Sequence, residues 1–253
     1  MKNYHTHTSR CRHAYGKDRD YVIAAIKTGI TELGFSDHAP MIFPTDYYST
    51  FRMFTSDTAD YICSIKRLKK EYEDKIKIYI GFELEYYPDL FEQTLDFLNQ
   101  FDYDYLILGQ HFVGNEFEES SHYSGAPTND VRYLEGYINQ ALEGLKTGKF
   151  KYIAHPDLIK FIGSDEIYKE KMTYFCKEIK ELGYPVEFNM LGFAQNRNYP
   201  DKRFWEVVSK VGNDVIIGLD AHSPDAFKNK KLLANAKKYL KDLNIDPIDH
   251  IEI

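Results

Sequence analysis

The sequence predicts an α/β fold in which one barrel-like domain occupies residues 1–253. Three observations predict it. Short apolar runs alternate with amphipathic segments from one end to the other, the pattern of repeated β-α units rather than of a bundle or sandwich. Seven of the apolar runs read as strands, a number that suggests a barrel. No tract rich in Pro, Gly or Ser divides the chain, and no short repeat or low-complexity stretch interrupts it.

In chain order, strands are expected at residues 3–5, 32–36, 77–83, 105–108, 152–155, 186–189 and 215–220, all rich in Ile, Val, Tyr, Phe or Leu. Helices are expected between them. Residues 18–28 should stop at Gly29, where glycine can adopt the left-handed cap, and residues 56–72 place Tyr61, Ile65, Leu68 and Tyr72 on one face. Residues 129–146, 165–182 and 202–211 continue the alternation, with Gly183 and Gly212 as stop signals. The segments 39–54 and 114–128 show no periodicity, and loops of that length in a compact fold are commonly functional. They are expected to form a rim over the site.

Composition narrows the partners. Hydrophobic residues make up 43% and charged residues 28%, enough apolar material for a core. No run approaches the roughly 20 apolar residues that span a bilayer, and the start, Met1-Lys2-Asn3-Tyr4, has no signal-peptide run. A cytoplasmic protein without a membrane partner is expected; the oligomeric state is not legible. Cys11, Cys63 and Cys176 are odd in number and widely spaced, against a disulfide framework or a thiolate zinc site. A net charge of −7 argues against a nucleic-acid partner, because duplex binding needs a basic surface. The basic runs at 66–70 and 228–231 lie beside acidic residues and read as solvated helix faces.

The position of the histidines carries the chemistry. His5 and His7 stand two apart where the first strand ends, so their side chains share a face. His38 follows Asp37 at the end of the second strand, Glu83 closes the third, His111 follows the fourth, His155 ends the fifth, and Asp220 with His222 ends the last. In a parallel barrel the carboxyl ends of all strands gather on one face, where the active sites of such folds are built. Imidazole and carboxylate donors without thiolates suit zinc, manganese or iron in an open site. A single HxH is more often a packed pair of histidines; the whole set is not.

These residues resemble the motifs of the PHP superfamily, the polymerase and histidinol phosphatase group. Tyr4-His5-Thr6-His7-Thr8, Ser36-Asp37-His38, Gly81-Phe82-Glu83, His155-Pro156 and Gly218-Leu219-Asp220-Ala221-His222 carry the resemblance, which spans nearly the whole chain. It implies a distorted seven-stranded (β/α)7 TIM-like barrel holding two or three divalent ions. By that resemblance His5, His7, Glu83 and Asp220 would hold the first ion, Glu83, His111 and His155 the second, and His13, His38 and His222 a third. Gly109-Gln110-His111-Phe112-Val113 and His155-Pro156-Asp157-Leu158-Ile159-Lys160 are similar to stand-alone histidinol-phosphate phosphatases. They imply hydrolysis of L-histidinol phosphate, a small phosphate ester, in histidine biosynthesis.

The expected chemistry is attack on phosphorus by a water bridging two ions and acidified toward ~7. Glu83, Asp220 and His222 are the expected catalytic residues; whether the leaving alkoxide takes its proton from Asp220 or a histidine, or is met by a metal, stays open. Arg197 follows the sixth strand and could grip phosphate, with Lys160 a weaker candidate. The two long loops offer Asp46, Tyr47, Tyr48, Phe51, Glu116, Glu118 and Glu119 to the alcohol portion. His122 could be a further contact; His250 reads as a surface residue. The competing classes are a different small phosphate ester or nucleotide as substrate, an amidohydrolase, a nuclease or cyclic-nucleotide phosphodiesterase, and an inactive metal-binding module. A glutamate rather than a lysine on the third strand argues against the amidohydrolase.

Overall fold

A computed structural model describes residues 1–253. Its strands are β1 (Lys2–Asn3), β2 (Glu32–His38), β3 (Lys77–Leu84), β4 (Tyr105–Leu108), β5 (Phe112–Val113), β6 (His122–Tyr123), β7 (Val186–Asn189) and β8 (Val215–Gly218). Its helices are α1 (Asp18–Thr28), α2 (Thr58–Glu71), α3 (Pro88–Leu98), α4 (Val131–Lys146), α5 (Asp165–Glu181), α6 (Met190–Gln195), α7 (Lys202–Val211) and α8 (Lys230–Asp242). The order β1-β2-β3-β4 forms a parallel curled sheet, and β7 pairs with β8 in parallel. Single parallel bridges join Leu108 to Ile153, Ile153 to Val186, and Thr6 to Ala221.

Parallel strands covered on both faces read as continuous buried runs, and β2 is buried from Leu33 to His38. Alternation along β3 separates the two faces. Ile78, Ile80, Phe82 and Leu84 face the main core, where the helices pack against the sheet. Tyr79 belongs to a smaller cluster with Tyr4, Tyr105, Ile107, Tyr152, Ala154 and Ile216. Glu83 stands four residues, two steps of the same alternation, beyond Tyr79, so the site sits above a tyrosine floor. Two glycines make room on this face. A Cβ on Gly109 would collide with the Glu83 carboxylate, and one on Gly218 with that of Glu187.

The helix ends follow local chemistry. Helix α1 stops at Gly29 with φ 85°, and α7 begins where Asp201 accepts the Arg203 N–H and ends at Gly212 with φ 73°. Several expectations need correction. The first strand is Lys2–Asn3 rather than 3–5, and β2 runs on to His38. The last strand stops at Gly218, because Asp220 takes φ 47° and turns the chain out of the sheet. The fifth expected strand shrinks to the bridge at Ile153, since His155 has φ 30° and Pro156 has no N–H to donate. Helices α3 and α6 were not among those expected, while α8 begins at the basic run 228–231 read as a helix face. The segment 114–128 is not wholly irregular, because β5 and β6 pair antiparallel across it.

Candidate metal centre

Each donor reaches the site from the carboxyl end of a strand or the loop that follows it. His5 and His7 are completely buried, while His13, His38, Glu83, His111, His155, Asp220 and His222 line a cavity of about 410 Å³ above them. The nine predicted donors are therefore brought to one place. His155 and Asp220 both occupy the left-handed region, uncommon for residues with a side chain and characteristic of functional sites.

The distances divide the donors into groups. His5 Nε2 lies 3.1 Å from His7 Nε2, and His7 Nε2 lies 3.1 Å from Asp220 Oδ1. Glu83 Oε2 is 3.4 Å from His5 Nε2, 3.5 Å from His7 Nε2 and 3.0 Å from His38 Nδ1. The other Glu83 oxygen is 2.8 Å from His155 Nε2 and 3.8 Å from His111 Nε2. His13 Nε2 and His222 Nε2 are 2.8 Å apart, and His38 and His222 share a further donor group with His7. One carboxylate thus faces five imidazoles.

This donor set fits bound cations better than it fits itself. Ligands about 2.1 Å from one ion stand roughly 3.0–3.4 Å from each other along the edges of an octahedron or tetrahedron. The spacings above cluster there. Glu83 Oε2, Asp220 Oδ1 and His38 Nδ1 are buried and make no aligned hydrogen bond, although imidazoles or carboxylates lie within ion-pair distance. A buried polar atom left unpaired costs about 1–3 kcal/mol. Cations held among these donors would satisfy all three.

Three further carboxylates stand behind the histidines. Glu187 Oε2 is 2.8 Å from His5 Nδ1, Asp37 Oδ1 is 3.3 Å from His7 Nδ1, and Glu85 Oε1 is 2.6 Å from His111 Nδ1. A carboxylate on the rear nitrogen fixes the tautomer of a metal-binding imidazole and aims its lone pair. Sequence reasoning missed these residues as functional. The available signal was an acidic residue inside a buried strand, as in Val186-Glu187-Phe188-Asn189. Without an ion, burial disfavours charge on His5, but Glu187, Asp220 and Glu83 outweigh it and lift its imidazole to about 10. Burial likewise disfavours charge on Glu83, but His38, His5 and His111 hold its carboxyl well below the usual range.

The remaining predicted contacts separate. Arg197 lines the cavity after the left-handed turn at Asn196, donating from Nη1 to the Tyr199 hydroxyl at 2.8 Å and from Nε to Gln195 at 2.9 Å. Lys160 does not line it. Its side chain is exposed, and its backbone is tied by hydrogen bonds to Ser124 and Thr128. Phe51 lines the cavity with Phe112 and Tyr123, whereas Glu116 is buried against Arg52. His122 stacks on Tyr133, outside the cavity lining.

The family profile described as PHP domain matches residues 3–190. The histidinol-phosphatase of Bacillus subtilis is 31% identical over 218 residues, covering 76% of this chain and 81% of that one. A protein of Deinococcus radiodurans described as a probable histidinol-phosphatase is 28% identical over 246 residues, 94% and 92% of the two chains. Among solved structures, the histidinol phosphate phosphatase of Lactococcus lactis complexed with zinc, L-histidinol and phosphate superposes with a TM-score of 0.76. The two share 18% identity, with 100% of this chain and 98% of that one covered. At that identity the likeness is one of fold.

Proposed function

The chain belongs to the PHP domain family and is a phosphatase related to histidinol-phosphatases, and from that premise we propose that it hydrolyses L-histidinol phosphate to L-histidinol and phosphate. The observation that carries the metal chemistry is the set of buried, unpaired donor atoms around Glu83, and the choice of substrate is supported by the likeness to histidinol-phosphatases. On this reading the curled sheet and its single bridges make a distorted seven-stranded β/α barrel, with the segment at Ile153 as its fifth strand. His5, His7, Glu83 and Asp220 would hold one divalent ion; Glu83, His111 and His155 would hold a second; His13, His38 and His222 would hold a third. Zinc, manganese and iron suit these donors.

Bound ions would supply Lewis acidity and a water acidified toward neutral pH. The protein's own residues do the rest. Glu83 keeps two sites in one register, and the carboxylates Glu187, Asp37 and Glu85 orient His5, His7 and His111. Arg197 grips a phosphate oxygen, and Asp220 Oδ1 and His222 Nδ1, 3.2 Å apart, border the same cavity. The electrostatics are closer to balance than the sequence suggests. Three divalent ions against Glu83 and Asp220 leave four positive charges, and the three carboxylates behind the histidines reduce that surplus to one. Phosphate is still drawn in, but by a directed field rather than a large net charge.

A second reading, hydrolysis of another small phosphate ester, is favoured by one observation. The carboxylates that line the cavity are Glu83 and Asp220, both committed to the ions, so no free acidic group there meets the ammonium of histidinol. The deciding experiment is phosphate release from L-histidinol phosphate beside sugar phosphates, nucleotides and an aryl phosphate, after chelation and return of zinc, manganese or iron. A kcat/KM for L-histidinol phosphate well above the others supports the first reading. Rates no better than the aryl ester reject it in favour of the second.

A further inference from the structure

Two rim segments that the sequence leaves as loops are pinned together by one buried cation. Arg52, only 2% exposed, donates from Nε and Nη2 to Glu116 Oε2 at 2.9 and 2.6 Å and from Nη1 to Glu85. Glu85 and Glu116 are buried as well, and the Tyr47 hydroxyl donates to the free oxygen of Glu116 at 3.2 Å. The chain of contacts continues inward, because the second oxygen of Glu85 meets His111 Nδ1 at 2.6 Å. Phe51, next to Arg52 in sequence, lies with its ring 5.2 Å from His38 and 5.5 Å from His111. From the other side Arg12, the neighbour of His13, donates to the Arg52 carbonyl at 3.1 Å.

We propose, on the reading that His111 ligates an ion, that Arg52 is a positioning residue joining the second metal site to the aromatic wall of the cavity. One guanidinium is shared by two carboxylates, which leaves one negative charge uncancelled in a buried setting. An isolated buried charge is costly, and Glu85 faces the second metal site through His111. The ion is therefore held in part by the rim, and the rim by the ion. Coupling of this kind is reciprocal: whatever loosens Arg52 weakens the ion, and removing the ion loosens residues 47–54. Because Phe51 adjoins Arg52 in the chain and its ring lies 4.5 Å from the guanidinium, the same contacts set how the wall presents itself to the alcohol portion of a substrate.

The test uses the full chain, with zinc as the probe. Wild type, Arg52→Met and Glu116→Gln are dialysed against buffered free zinc, bound metal is measured, and backbone hydrogen exchange is followed at residues 47–54. The expected result is that one ion of the wild-type complement binds roughly ten- to a hundredfold more weakly in both variants, the loss typical when support behind a ligand is removed. The other ions are unchanged, KM rises at saturating zinc while kcat recovers, and chelation of the wild type speeds exchange at 47–54. Glu116→Gln keeps the Arg52–Glu85 pair and decides the matter if Arg52→Met does not fold. Wild-type zinc affinities in a folded variant, or equal weakening of every ion, would overturn the proposal while leaving the metal reading intact. A wild type that binds no ion would overturn both.

Discussion

Replacing Glu83 by glutamine removes one negative charge and turns one ligand oxygen into an N–H donor, while Gly109 still leaves room for the side chain. In the wild type the two oxygens lie 2.8–3.8 Å from nitrogens of five histidines, so a single carboxylate serves two proposed sites. Unit charges about 4 Å apart at an effective dielectric near 20 attract by about 4 kcal/mol. Each divalent ion should lose at least that much, equivalent to about a thousandfold in affinity. Glu187→Gln, which removes the charge behind His5 and alters the contact with Asn189, should cost roughly ten- to a hundredfold. The assay is metal content after dialysis at fixed free zinc, paired with phosphate release and a circular-dichroism spectrum. Folded Glu83→Gln carrying the wild-type complement of metal, with wild-type turnover, would refute the assignment of a shared ligand.

Other expectations follow from the same geometry. Metal uptake should release protons, because His5 is charged at neutral pH in the metal-free protein and a ligand imidazole must be neutral; calorimetric enthalpies that do not differ between Tris and HEPES would contradict it. Arg197→Ala should lower kcat/KM about tenfold to a hundredfold, the worth of a charge-assisted hydrogen bond, while Lys160→Ala leaves it unchanged. Equal loss in both variants would remove Arg197 from its role. Asp157 is buried, and burial pushes its carboxyl up to about 7 against the pull of the Asp201 N–H and the Trp205 indole. A raised folded pKa gives stability that is full below ~4 and lost as pH rises through ~7, about 4 kcal/mol in all. In metal-free protein, Asp157→Asn should therefore gain on the wild type by that order between pH 4 and 8 in urea unfolding. A constant difference across that range would show that Asp157 does not titrate there.

What the sequence made legible is local. Ligands at strand ends fall next to apolar runs, so His5, His7, His38, Glu83, His155, Asp220 and His222 could be picked out with their strands. The carboxylates behind them could not be, because Glu187, Asp37 and Glu85 gain meaning only from imidazoles 182, 30 and 26 residues away. Arg52 was hidden for the same reason: its partners come from β3's end and from the opposite rim segment. Helix α3 was legible in principle, with Pro88 at its first turn and Leu90, Phe91, Leu95 and Leu98 buried along one side. The shortening of the fifth strand was not, because it depends on the left-handed turn at His155. Glu116, offered by the sequence to a substrate amine, is instead neutralised by Arg52.

The most direct test of a histidine-held catalytic metal cluster is a titration of chelated protein with zinc, manganese or iron, reading phosphate release and bound metal together. The account predicts no turnover without metal and a rise that saturates at two to three ions per chain. Full turnover in protein stripped of metal, or saturation with metal and no phosphate release from any small ester, would contradict it.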